Sequence, residues 1–482
     1  MSYRHGVYLS EVPTSVIPPA RTSAGLPVVF GTAPVNLVDE APVNKPILCY
    51  TYGEAVKAFG YSDDWEAYTL CEFMKSHFAL FVVAPVVFVN VFDPAEHKIV
   101  VSPASVAMAS GVALVQVKGV VLSSIVVKLT AEGPTVAKES NYTAEFNSEG
   151  YVVITRITTG TIPANQAQIF VGYTKLDPSA VDSNDIIGGI DVSTGAYTGL
   201  ELLNKIFPMF RLLPGLVLAP GWSHDPAVAA IMTAKAGNIN SHFKCLALTD
   251  VPTDEVELYT DVAAWKNDNN YTSSRQVVCW PKVKLGEEQF HLSTQAAGVI
   301  CRTDSENEDI PYVSPSNKNL QANGAVLADG TEVALGPDQT AYLNGQGIVT
   351  ALNFVGGWKL WGNRTGVYPG VTDPKDAFIP IRRMFDWVAN TLVLTFWQKV
   401  DYPLNRRLID TVLDSANIWL NGLAARQFIL GGRVEFQQDE NPATDILDGI
   451  VRFHVYLSPP PPAREIDFVL EYDPQYLQTL FG

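Results

Sequence analysis

Residues 215–280 read GLVLAPGWSHDPAVAAIMTAKAGNINSHFKCLALTDVPTDEVELYTDVAAWKNDNNYTSSRQVVCW. Gly215–Ala219 is a short apolar run, so a buried strand is expected there. Asp225-Pro226 is a helix start: the carboxylate can accept orphan amides, and proline suits the first helical position. A helix over Ala227–Ile239 is expected to follow, then a strand over Phe243–Leu248. Asp254–Trp265 reads as a second helix and Gln276–Trp280 as a third strand. This β-α-β-α-β order predicts a parallel sheet covered by helices.

Upstream, Gly25–Ala33 gives another short apolar strand, and Gly53–Phe59 and Trp65–Phe78 read as helices. Ala79–Phe92 reads as a buried strand pair. The preceding stretch, Gly6–Arg21, is different. Val7, Tyr8, Leu9 and Val12 favour extended backbone, while Pro13, Pro18 and Pro19 forbid a helix or a central strand. An extended arm is expected. From Val86 to Thr174 the chain is rich in β-branched and aromatic residues divided by Gly, Pro, Asn and Ser, so this is an all-β module with a hairpin turn at Ser148-Glu149-Gly150.

Downstream, Ile379–Asn390 reads as helix and Leu392–Trp397 as a strand. Arg406–Leu420 has the clearest helical period. Leu408, Ile409, Val412, Leu413, Ala416, Trp419 and Leu420 fall on one face, and Arg407, Asp410, Asp414, Asn417 and Asn421 on the other. Gly431-Gly432 precedes a strand over Arg433–Gln437, and Val451–Leu457 reads as another strand. Pro459–Pro462 must form a stiff spacer. Beyond it Ile466, Phe468 and Leu470 alternate with Asp467 and Glu471. A strand isolated behind a rigid spacer leaves its backbone unpaired and should seek another sheet edge.

The 482 residues allow about three domains at roughly 150 residues each. The net charge of −17 repels phosphate, so neither nucleic acid nor membrane insertion is expected. Ala79–Phe92 is interrupted by Pro85 and falls short of the roughly 20 residues of a membrane span. Met1–Pro19 has no apolar core of signal-peptide length, so no secretory leader is expected. The five cysteines are scattered without metal spacing and read as reduced core residues.

Few motifs carry chemistry. There is no phosphate loop, no H-E-x-x-H and no G-x-S-x-G. Ala219-Pro220-Gly221-Trp222 lacks the glycine spacing of a dinucleotide site. His224-Asp225 could be an acid/base pair, but a helix cap explains Asp225 with less. Asp439, Glu440, Asp445 and Asp448 lack the alternate-oxygen pattern of a calcium loop and read as a solvated loop. No catalytic residue, metal ligand or cofactor is expected. Arg382-Arg383 and Arg406-Arg407 read as solvated helix starts. The second pair is also a candidate contact for an acidic partner.

Several stretches resemble one family. HGVYLSEVPTSVIPPARTSAGLPVVFGTAP (5–34) is similar to the opening of contractile tail sheath proteins of phages with P2-like tails. FPMFRLLPGLVLAPGWS (207–223), STQAAGVICRTDSENE (293–308) and SPSNKNLQ (314–321) resemble the same family, and GIVTALNFVGGWKLWGNRT (347–365) does so most specifically. The end resembles it throughout: IPIRRMFDWV, RRLIDTVLDSANIWLNGL, LGGRVEF, ENPATDILDG and PPPPAREIDFVLEYDPQYLQTLF. Only the β module near 93–180 stands outside, as an insertion of the kind that decorates sheath exteriors.

The resemblance implies an α+β or α/β multidomain chain. Residues 1–24 would be an N-terminal arm, 25–92 with 181–350 a middle α/β domain with parallel strands, and 93–180 an outer all-β module. Residues 351–458 would form an inner α/β assembly domain together with the chain ends, and 459–482 a C-terminal arm. The family stacks hexameric rings around an inner tail tube and exchanges terminal strands between subunits, so Val7, Tyr8, Leu9, Val12, Ile466, Phe468 and Leu470 would be the exchanging residues. A C-terminal-domain helix would face the tube, which makes Arg406, Arg407, Asp410, Asp414 and Asn417 the candidates. Implied partners are other copies of the chain, the tube, baseplate and tail terminator proteins. The implied place is the virion tail, assembled in the host bacterial cytoplasm. Contraction from a metastable extended lattice would need no nucleotide. The sheath of a phage-tail-like bacteriocin, a tail-associated carbohydrate-binding or hydrolytic protein, and an inner tube subunit are the alternatives.

Overall fold

The computed structural model describes residues 24–40 and 42–480. The expected N-terminal arm, with Val7, Tyr8, Leu9 and Val12, lies outside them. At the centre is a nine-stranded sheet. Its six inner strands, in spatial order Ile348–Asn353, Gln276–Cys279, Leu246–Asp250, Leu216–Leu218, Pro27–Gly31 and Val86–Asn90, are all parallel. Antiparallel strands close both edges: Ile47–Cys49 on one side, Trp358–Trp361 and Lys318–Asn319 on the other. The inner strands are buried on both faces, as parallel strands under helical layers must be.

The helix Leu292–Ser305 runs through the centre of one layer with nearly every residue buried. Gly298 permits this, because a Cβ there would stand 2.2 Å from the Phe81 ring. On the other face Trp280, Tyr271, Val262 and Leu343 form a second apolar layer. The helix Pro226–Gly237 begins as its sequence dictates, with Asp225 accepting from the Ala227 amide at 2.8 Å.

Between Val86–Asn90 and Leu216–Leu218 the chain makes a seven-stranded antiparallel sheet from Lys98 to Leu176, with its own core around Tyr142, Ile154, Ile169 and Val127. Its first and last strands are hydrogen-bonded neighbours. The base is closed where the Asp177 amide donates to the His97 carbonyl at 3.0 Å.

The C-terminal part is built from the helices Ile379–Phe396 and Arg406–Ala425 and a two-stranded sheet, Gly431–Glu435 with His454–Ser458. It has its own core around Met384, Trp387, Leu420 and Val434.

Six expectations need correction here. Ala79–Phe92 is not a strand pair: a wide helical turn, Lys75–Phe81, stops at Val82 in left-handed backbone, and a single strand, Val86–Asn90, follows. The helix expected from Trp65 starts at Thr69, and the one expected from Asp254 starts at Val262. Leu392–Trp397 is not a strand, because the preceding helix continues to Phe396. Nothing in that run breaks a helix, and Thr391 and Thr395 satisfy their hydroxyls on carbonyls one turn back. Arg382 and Arg383 are buried rather than solvated. The boundary expected at 351 cuts a strand of the central sheet, which extends to Trp361.

Candidate assembly surface

The helix Arg406–Ala425 is capped by Asn405, whose side chain accepts from the Leu408 amide at 3.0 Å. Val412, Ala416, Leu420 and Leu423 are buried, as the 3.6-residue period dictates. Trp419 packs on Trp387 of the helix Ile379–Phe396, with ring centroids 5.6 Å apart. On the open face Arg406 bonds to Asp410 at 2.9 Å, an i,i+4 pair within its own helix. Arg407 and Asp414 are exposed and make no ion pair among the described residues.

Asn417 does not belong to that open face. Its amide donates to the Val434 carbonyl at 3.0 Å and its oxygen accepts from the Val434 N–H at 2.8 Å. A backbone N–H spent on a side chain cannot also serve the ladder. Val434 and Val455 are therefore a non-hydrogen-bonded pair, and the Val434 groups point to the outer edge of their strand. That edge is held by the helix. By the same alternation Val455 and Leu457 aim their backbone groups at the opposite edge of the hairpin, where no further strand pairs among the described residues.

Directly after this open edge come Pro459–Pro462 and the C-terminal segment. Ile466, Phe468 and Leu470 are 72, 83 and 95 % exposed, and residues 459–473 join no ladder of their own chain.

The C-terminal helices are tied to the central sheet by a buried charge network. Arg383 bonds to both oxygens of Asp304, at 2.9 and 2.5 Å, and to the Ala24 carbonyl. Arg382 bonds to Asp376 and Asp386, and Arg275 reaches Asp386 from the sheet side at 2.8 Å. Burial pushes the Asp386 carboxyl above the usual aspartate range, and the two guanidiniums offset this only in part. The sequence carried one signal of this network: Arg382 and Asp386 stand at i,i+4 on a helix. The partners Asp304 and Arg275 are far away in the chain and gave none.

The remaining candidates resolve as structure. Asp225 is a helix cap and accepts from the Ser183 hydroxyl at 2.5 Å. A cleft of about 570 Å³ lies at the carboxyl ends of the parallel strands, beside His224 and His291. There Glu72 holds His291 through its backbone N–H and Nδ1, both at 2.7 Å, and Asp250 is spent on Ser293 and Ser223. Of the four acidic loop residues, Glu440 pairs with His454 and Asp445 with Arg452, while Asp439 and Asp448 make no ion pair among the described residues. Among the described residues no group of three or more His, Cys, Asp or Glu side chains is placed to hold a metal ion. All five cysteines are buried and free. No helix among the described residues is long and apolar enough to cross a membrane.

No protein-family model matches the sequence. The tail sheath protein of Burkholderia phage BcepMu is 27% identical over 492 residues, covering 100% of this chain and 99% of that protein. The tail sheath protein of Escherichia phage P2 is 23% identical over 313 residues, covering 62% and 72%. Among solved structures, the sheath complex of an extracellular contractile injection system, PVC, in the contracted state has the same fold. Its TM-score is 0.58 at 14% identity, with 99% of each chain covered. The contracted helical sheath of the anti-feeding prophage follows at 0.56 and 15%, covering 98% of this chain and 100% of that one. Along its whole length the sequence is similar to a phage tail sheath protein, and the fold is that of solved contractile sheaths.

Proposed function

We propose that this chain is the structural sheath subunit of a contractile phage tail or a tailocin-like particle, not an enzyme. Copies polymerise as stacked hexameric rings around an inner tube, dock on a baseplate, and contract from a metastable extended lattice without nucleotide hydrolysis. The observation that carries this reading is the pairing of a wholly exposed apolar C-terminal segment with an open sheet edge on the same chain. Such a segment cannot satisfy its backbone alone, and adding it to the His454–Ser458 edge of a neighbour satisfies both partners. The N-terminal arm, residues 1–24, is assigned the same kind of exchange, and the all-β module the outer wall of the cylinder. The open face of the helix Arg406–Ala425, with Arg407 and Asp414, is assigned to the tube.

Deleting residues 463–482 tests this. The truncated chain should remain folded by circular dichroism and thermal melting, yet form no long cylinders under the electron microscope. Cylinders of normal length from the truncated chain, or outright unfolding, would sink the exchange.

A further inference from the structure

Beside the spacer lies a second cleft, of about 550 Å³, whose charge is unusual for this chain. In a protein of net charge −17 it is lined by three cations, Lys318, Arg364 and Arg464. The Arg364 guanidinium is fixed between two rings, 3.6 Å from the Phe378 centroid and 4.3 Å from that of Tyr368. Neither Arg364 nor Lys318 makes an ion pair among the described residues, and Arg464 bonds only to its exposed neighbour Glu465. Burial first, and the neighbouring Arg464 charge after it, hold the Arg364 guanidinium below its ordinary value. Two cations without an ion-pair partner, one of them already oriented, beside a third paired only at the exposed surface, form a seat for carboxylates.

We propose that this cleft receives the acidic C-terminal segment, Glu465–Asp473, of a second copy of the chain. Charge complementarity selects that occupant. EIDFVLEYD carries four carboxylates and no cation, and apart from Glu465 none of them is ion-paired among the described residues. Reach agrees. Nine extended residues span about 30 Å, which matches the five-residue edge strand at about 17 Å plus four spacer prolines at about 12 Å. A segment laid along His454–Ser458 therefore ends in the cleft at the far end of the spacer. The cleft also supplies what strand addition lacks. Backbone bonds are indifferent to register, and a slip by one residue turns every side chain to the wrong face. Seating Glu471 and Asp473 against Arg364 and Lys318 fixes one register. This rests on the strand exchange proposed above and adds the residues that select its alignment.

The test is charge reversal on either side, in the full chain. K318E/R364E alters the cleft and E471K/D473K alters the segment. Each alone should raise the protein concentration needed for sheath formation about tenfold, and the quadruple variant should restore it. The single variant K318E, at an exposed edge, guards against misfolding of the Arg364 variants and should shift assembly in the same direction. Reversals that act independently, or leave assembly unchanged while deletion of 463–482 still abolishes it, overturn the cleft and leave the exchange standing. If the deletion too leaves assembly intact, the exchange itself falls.

Discussion

Asn417 and Val434 are joined twice, side-chain amide to backbone, so that a helix residue takes the place of a neighbouring strand. One edge of the hairpin is thereby occupied, and the other pairs with no strand among the described residues. Asn417→Ala removes both bonds and leaves a backbone N–H and C=O short of partners, at a cost of about 1–3 kcal/mol. Asn417→Asp keeps the acceptor and loses the donor, so its loss should be smaller. Urea unfolding of the three proteins checks the order. Equal stability of all three would show that water replaces the amide at no cost.

The Arg383–Asp304 pair is almost wholly buried. Asp304→Leu leaves an uncompensated guanidinium and should destabilise by about 3–5 kcal/mol. Adding Arg383→Met removes the orphan charge and should recover much of that loss. A double variant no better than the single one would mean that the pair's geometry, rather than its charge, holds the C-terminal helices in place.

His77 is stacked on Phe73 with both ring nitrogens buried and without a hydrogen-bond partner among the described residues. Burial pushes its imidazole from 6.5 down to about 3. The folded state thus refuses a proton that the unfolded chain accepts below about pH 6.5. Stability should fall as pH drops from there toward 3, by about 1.4 kcal/mol per pH unit. His77→Phe should remove that slope. Denaturation midpoints at pH 7 and pH 5 compare the two, and parallel behaviour would exclude His77 as the source.

On the helix Arg406–Ala425, Arg406 is already paired with Asp410 while Arg407 is not. Arg407→Glu should leave the fold unchanged within about 0.5 kcal/mol. Each lost contact of about 0–1 kcal/mol is repeated along the polymer, so co-sedimentation with tube should weaken. Unchanged yield and length of tube-filled sheath would assign this face to solvent.

The parallel sheet was legible because its signals are local. Apolar runs at Gly215–Ala219 and Gln276–Trp280 and the Asp225-Pro226 cap each state their own structure. The failures have a common cause in long-range partners. Arg382 and Arg383 look like solvated charges until Asp304 and Arg275 arrive from elsewhere in the chain. Asn417 fits a polar stripe until a strand 17 residues later claims it. Leu392–Phe396 fits two periods in so short a run, and its packing on the C-terminal core decides for the helix. The open edge at His454–Ser458 could not be read at all, because pairing is a property of two segments.

The bond between His97 and Asp177 carries a consequence for how this molecule changes over time. The polypeptide leaves the central sheet and returns to it through a doorway closed by that bond, and Asn36 of the central domain donates its side-chain amide to the Val120 carbonyl of the module. The strands between Lys98 and Leu176 fold around a core of their own, while Leu176 and Val121 pack into the core of the central sheet. Such a cassette can be enlarged, shrunk or traded for an unrelated fold at the cost of one loop closure, which grows only slowly with length. A lineage can thus alter this face of the subunit while the central sheet beneath it stays fixed, and the same doorway is where an engineer would graft a displayed domain.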